Sequence, residues 1–156
     1  MKSQKILISA CLLGEKVKYD GKDNLCVHPI LTKWCNQGLL VPICPEVLGG
    51  LGVPRVACEV VKGTLRVINK EGQDKSDFFS KGALATLEIA QKHGIKMAIL
   101  KAKSPSCGKG RIYDGSFTHQ LVEGFGITCK LLQEHGIEVF SEDELDLAER
   151  FWKKEG

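Results

Sequence analysis

Seven cysteines stand at positions 11, 26, 35, 44, 58, 107 and 129 of a 156-residue chain. An odd number leaves one thiol over in any disulfide framework, and a chain this long buries enough surface to fold without covalent staples. Thiols kept reduced, as in a cytosol, stay available as metal ligands or nucleophiles, so a cytoplasmic protein is the expectation. No two of the seven form a Cys-x-x-Cys pair, the local spacing common in structural zinc sites. Any metal must be gathered from positions remote along the chain.

Other reactive groups flank these thiols. Glu46 lies two residues beyond Cys44 and is a candidate general acid or base. Ser104 and Ser106 place hydroxyls beside Cys107. Lys101, Lys103, Lys109 and Arg111 surround it with positive charge, which favours a thiolate or attracts an anion, although a solvated surface run explains such charges equally well. Arg55 is a further candidate for an anion, and Ser106 and Lys101 are candidate substrate contacts. Asp20 and Asp114 both sit in Tyr-Asp-Gly sequences; turn chemistry accounts for each, and Asp20 is carried as a candidate substrate contact. The glycines at 49–52 and 108–110 would let backbone N–H groups approach a ligand or a cluster sulfur. Gly108-Lys109 is no phosphate loop, because Lys103 stands where its first glycine belongs and Gly110 replaces the required Ser or Thr. The four histidines lack ligand spacing.

Positioning these groups is the task of the regular elements. Short apolar runs at Ile6–Ser9, Leu39–Ile43, Met97–Leu100 and Ile137–Phe140 have the length and branching of buried strands. Helical patterns lie between them, at His28–Gln37, Asp77–His93 and Ile127–His135, with a last one from Ser141 to about Lys154 opened by a capping-box sequence. In the second, Phe78, Leu84, Leu87 and Ala90 or Gln91 are expected to form the helical stripe. Glu59–Val61 and Leu65–Ile68 flank Lys62-Gly63-Thr64 as a small hairpin or edge strands. The alternation predicts an α/β fold with a mostly parallel sheet and helices on both faces. Ligands of such sheets bind beyond the carboxyl ends of the strands. Cys11, Cys44 and Cys107 each fall just past a different strand, at one edge of one sheet. Three thiolates there suggest a metal centre. A [4Fe–4S] cluster on three cysteines leaves one iron without a protein ligand, free to act as a Lewis acid. Three buried thiols that happen to follow strands, a metal-free enzyme with Cys107 as nucleophile, and a non-catalytic metal-binding or redox module stay open at this level. Cys26, Cys35 and Cys129 read as small apolar fillers; Cys58 is a filler or an accessory thiol.

Hydrophobic residues make up 43% and charged residues 26%, as in a globular domain, which excludes collagen, coiled coil and disorder. A single domain over residues 1–156 is expected. The net charge of +3 is too small to predict a polymeric nucleic acid as partner, and no apolar run is long enough to span a membrane. Lys2 and Lys5 ahead of Ile6–Ile8 and Cys11 imitate a lipoprotein leader, but that apolar stretch falls short of the roughly 7–15 residues such a leader needs.

Read together, Ser-Ala-Cys-Leu-Leu-Gly at 9–14, Tyr-Asp-Gly at 19–21, Cys-Pro-Glu-Val-Leu-Gly-Gly-Leu at 44–51, Pro54-Arg55, Leu-Lys-x-x-Ser-Pro-Ser-Cys-Gly-x-Gly at 100–110, Ile-Tyr-Asp-Gly-x-Phe at 112–117 and Phe-Ser-Glu at 140–142 resemble the thiouracil desulfurase family over roughly residues 5–145. The resemblance implies a Rossmann-like α/β domain with an oxygen-sensitive [4Fe–4S] cluster on Cys11, Cys44 and Cys107. It implies a small thiolated nucleobase or nucleotide as substrate, whose sulfur meets the free iron and is replaced by water with release of hydrosulfide and no electron transfer. Glu46 would move protons or activate water, and Ser104 would hydrogen-bond the substrate.

Overall fold

The computed structural model describes residues 4–155; Lys2, part of the leader-like pattern, lies outside them. The elements in chain order are β1 (Ile6–Ser9), α1 (Pro29–Asn36), β2 (Leu40–Ile43), a single turn α2 (Pro45–Leu48), β3 (Cys58–Val60), β4 (Val67–Asn69), α3 (Ser76–Lys92), β5 (Met97–Leu100), β6 (Arg111–Tyr113), β7 (Leu121–Glu123), α4 (Ile127–Glu134), β8 (Glu138–Ser141) and α5 (Leu145–Glu155). Tight 3-10 turns at Ala10–Leu13 and Glu142–Glu144 follow β1 and β8. The four apolar runs form one sheet of order β2-β1-β5-β8, parallel throughout.

Period-2 alternation sorts the sheet into two faces. Ile6, Ile8, Met97, Ile99 and Phe140 pack with Ile30, Leu31 and Trp34 of α1 and Leu145 and Ala148 of α5. Leu7, Ala98, Leu100 and Val139 pack with Leu87 and Ala90 of α3 and Cys129 and Leu132 of α4. Helices therefore cover both faces, as the alternation of elements predicts. From β1 the chain crosses to β2 on one side, then returns past β1 to β5 and β8 on the other. That reversal opens a crevice beyond the carboxyl ends of β1 and β5, the usual ligand position in open α/β sheets.

Helix α3 corrects one expectation. Phe79, Ala83, Leu87 and Ala90 form its buried stripe, while Phe78 and Leu84 are exposed. The cause lies at Gly82 and Gly49. A Cβ on Gly82 would collide with the carbonyl of Pro45, and one on Gly49 with the carbonyl of Phe78. The α2 turn and α3 thus meet backbone to backbone, which sets the rotation of α3. Gly49 serves this packing and not the approach to a ligand expected from the sequence.

The β3–β4 hairpin forms as expected. A second hairpin, β6–β7, has no signature in the sequence, because strands of three residues show no periodicity. The two are joined: Lys62 N–H donates to the Asp114 carbonyl at 3.0 Å, and Glu59 Oε1 accepts from the N–H groups of Gly115 (3.0 Å) and Phe117 (3.1 Å). Val60, Val67, Phe79 and Ile112 form their small core.

Candidate functional site

A cavity of about 660 Å³ opens at the carboxyl edge of the sheet, and Cys11, Cys44 and Cys107 all line it. Each arrives on a different segment. Cys11 is in the turn after β1. Cys44 is the residue before α2, whose first position is Pro45, a residue suited to a helix start. Cys107 lies on the loop after β5. That loop is fixed from two sides. Ser104 Oγ accepts the N–H groups of Ser106 (3.1 Å) and Cys107 (3.0 Å). Helix α4 has no side-chain cap; instead Ile127 N–H donates to the Pro105 carbonyl and those of Thr128 and Cys129 to the Ser106 carbonyl, at 2.9, 2.9 and 3.1 Å. The loop carbonyls satisfy amides that a helix start leaves free, and this holds Cys107 in place.

Donors face the sulfurs. Ser9 Oγ donates to Cys107 Sγ at 3.3 Å, and Ser106 Oγ lies 3.6 Å from the same atom. Asn24 Nδ2 donates to Cys11 Sγ at 3.4 Å. The N–H groups of Val47 and Glu46 act on Cys44, whose thiol in turn points to the Val17 carbonyl 4.0 Å away. The three sulfurs also feel one another: charge on Cys44 disfavours ionisation of both Cys11 and Cys107, and charge on Cys11 that of Cys107. Burial is the largest influence on all three and pushes each thiol up, Cys107 to about 12. A metal cation reverses this, since a coordinating thiol is deprotonated outright. Without one, Cys107 is protonated at neutral pH and 4% exposed, the opposite of an activated nucleophile. Among the described residues no three His, Cys, Asp or Glu side chains are arranged to hold a single metal ion.

A polar chain runs beside the thiols. Glu46 Oε1 accepts from Arg55 Nε at 3.0 Å, and Oε2 accepts from Ser106 Oγ at 3.0 Å. Ser106 Oγ lies 3.0 Å from Ser104 Oγ. Since Ser104 already accepts two N–H bonds and Ser106 spends its proton on Glu46, the Ser104 hydroxyl is the donor of that pair. The order is Ser104 to Ser106 to Glu46.

The remaining candidates divide. Arg55 is in the wall, but its guanidinium is engaged by Glu46, the Gly52 carbonyl (3.1 Å) and the Val17 carbonyl (3.0 Å); it holds Glu46 rather than waiting for an anion. Lys101 also lines the cavity and pairs with Glu142 at 2.8 Å, while Lys109 pairs with Glu144 at 3.0 Å. Neither is left to ionise Cys107. Asp20 is outside the cavity: it is exposed, and Oδ1 accepts Lys22 N–H at 3.0 Å in a local turn, the bond that does most to hold its carboxyl below the usual range. Gly108 N–H is spent on the Ser104 carbonyl at 2.8 Å, so it braces the loop and does not face a ligand. Cys58 does stand in the cavity wall, its thiol pushed up to about 11 chiefly by burial.

Sequence reasoning missed Ser9 and Asn24, whose roles depend on spatial contacts with sulfur. It also missed Tyr113, Phe117 and His119, which the β6–β7 hairpin brings to the cavity. Phe117 and His119 have positive φ, 59° and 62°, rare for residues with a side chain.

The family model described as 2-thiouracil desulfurase matches residues 6–144. The Bacillus subtilis (strain 168) protein named "Uncharacterized protein YbbK" is 35% identical over 149 residues, covering 90% of this chain and 97% of that protein. A solved structure described as the [4Fe-4S]-dependent thiouracil desulfidase TudS is 43% identical, with a TM-score of 0.89 over 92% of this chain and 94% of that one.

Proposed function

The chain belongs to the 2-thiouracil desulfurase family, and from that membership we propose that it is an iron–sulfur enzyme replacing sulfur by oxygen in a thiolated pyrimidine. Cys11, Cys44 and Cys107 would hold a [4Fe–4S] cluster. The observation that carries this reading is their meeting on one cavity from three separate loops, with hydrogen-bond donors turned on the sulfurs.

The donor set fits the group. A cluster takes one thiolate per iron around its edge, so its ligands need not converge on a point as they would on a lone ion. Three thiols carried by separate loops around an open cavity suit such a group. When bound, the cluster supplies an iron lacking a protein ligand, a soft Lewis acid for thiocarbonyl sulfur.

The chain's own residues handle the protons. Glu46 takes a proton from the water that adds to the ring carbon, and Arg55 on Oε1 holds the carboxylate in place. The Ser104 hydroxyl then turns from Ser106 to the departing sulfur and gives up its proton; the oxygen so freed takes one from Ser106, and Ser106 takes the one held on Oε2. Water and thiocarbonyl become carbonyl and hydrosulfide, the second proton of the water going to solvent, with no electron donor required. Lys18, Lys70 and Lys103 also line the cavity. At about 660 Å³ it falls within the range that takes drug-sized ligands, roughly 300–1,000 Å³. These features support a phosphorylated thionucleoside as well as the free base.

The test is sulfide release by anaerobically reconstituted protein from 2-thiouracil, 4-thiouracil and their nucleotides, with no reductant added. Uracil or its nucleotide should form in step with sulfide. A fully loaded protein that releases none from any thiopyrimidine contradicts the reading.

A further inference from the structure

Ser9 and Asn24 have no place in the proton path, yet each turns a donor on a cysteine sulfur. Ser9 closes β1 and is 3% exposed. Its Oγ accepts Lys101 N–H at 2.9 Å, from the residue following β5. With the backbone amide on one side, the single hydroxyl proton is directed to Cys107 Sγ at 3.3 Å. Asn24 is held on Cys11 by both ends: its N–H donates to the Cys11 carbonyl at 3.0 Å, and Nδ2 donates to Cys11 Sγ at 3.4 Å. A cysteine that only fills space needs no such donors. Cys129 is fully buried, and among the described residues only burial and distant charges act on it.

We infer that Ser9 and Asn24 are positioning residues that set the electron density of the cluster through their hydrogen bonds to the sulfurs of Cys107 and Cys11. The inference rests on the cluster reading above and deepens it. A donor on a thiolate withdraws charge from sulfur, weakens its donation to iron and leaves the metal more electrophilic. The reaction transfers no electrons, so this tuning serves Lewis acidity and cluster lifetime. Its most direct readout is nonetheless the reduction potential, which hydrogen bonds to sulfur raise.

The experiment compares wild type, Ser9→Ala, Ser9→Thr and Asn24→Asp, each reconstituted anaerobically and assayed first for iron and acid-labile sulfide. The midpoint of one-electron reduction and the rate of iron loss to a chelator are then measured. Ser9→Ala and Asn24→Asp should load the cluster, shift the midpoint to more negative potential and lose iron about 10-fold faster, the low end for loss of an outer-shell partner. Ser9→Thr keeps the hydroxyl and should stay close to wild type. A Ser9 present only to satisfy the Lys101 amide would lower thermal stability when truncated and leave the midpoint unmoved. Unchanged midpoints and iron-loss rates in both Ser9→Ala and Asn24→Asp overturn the inference while leaving the desulfurase reading intact. If Ser9→Ala does not fold, Asn24→Asp decides alone. A wild type that takes up no cluster overturns both.

Discussion

Cys107 and Cys129 share one apolar core, on the face of the sheet covered by α3 and α4. Both are buried, and burial pushes both thiols up to about 12. They differ in what meets the sulfur. Cys107 reaches the cavity with hydroxyls of Ser9 and Ser106 beside it. Cys129, on α4, belongs to the helical layer below, where among the described residues burial and the Glu144 charge raise it, the Lys109 charge lowers it, and no hydrogen-bond donor acts on it. Depth of burial and a raised pKa therefore do not mark a ligand. Open space on one side and donors on the other set the proposed ligand apart, and both are properties of the sheet's carboxyl edge.

Exchanging sulfur for oxygen separates the two regions most sharply. Cys107→Ser, like Cys11→Ser or Cys44→Ser, should abolish iron and sulfide binding. Cys129→Ser should keep the cluster and lose about 1–3 kcal/mol of unfolding free energy, the cost of a poorly partnered buried polar group. Cys58→Ala, in the wall but outside the proposed ligand set, should also keep its iron. If Cys129→Ser empties the site and Cys107→Ser does not, the contrast fails. Next in size is Glu46→Gln, which should load normally and lose about 10²- to 10⁴-fold in turnover; equal turnover removes Glu46 from the proton path. Ser104→Ala removes the head of that path and the acceptor of two loop amides, and should cost roughly 10- to 100-fold in turnover with the cluster still bound. Arg55→Met leaves the half-buried Glu46 without its cation but with its Ser106 hydrogen bond, and should cost about 1–3 kcal/mol, readable by denaturant unfolding. Smallest is Asp20→Asn, which keeps the turn and should leave kcat/KM within about twofold, as surface changes away from a site do. A larger loss would return Asp20 to the substrate site.

The sheet was legible because Ile6–Ser9, Met97–Leu100 and their neighbours are short, branched and continuous, as strands covered on both faces must be. Once they are strands, the rule that ligands sit at their carboxyl ends selects Cys11, Cys44 and Cys107 from seven cysteines. Two kinds of information were not legible. Strand order depends on which crossover goes to which side, and no residue encodes that alone. The stripe on α3 differs at two positions, Phe79 in place of Phe78 and Ala83 in place of Leu84, because two glycines draw the helix onto α2, a contact between segments far apart in the chain. The same limit hid Ser9 and Asn24 and gave Arg55 and Asp20 roles as anion or substrate contacts. A type and a spacing show what a side chain is able to bind, whereas the folded chain decides what has already bound it: Glu46 in one case, the Lys22 amide in the other.

Iron and acid-labile sulfide, counted per chain in protein prepared and reconstituted without oxygen, test the central claim most directly. One [4Fe–4S] cluster per chain in wild type, absent from Cys11→Ser, Cys44→Ser and Cys107→Ser and retained in Cys58→Ala and Cys129→Ser, is the predicted result. A single metal ion per chain without sulfide, or a cluster that survives loss of any one of the three cysteines, would contradict it.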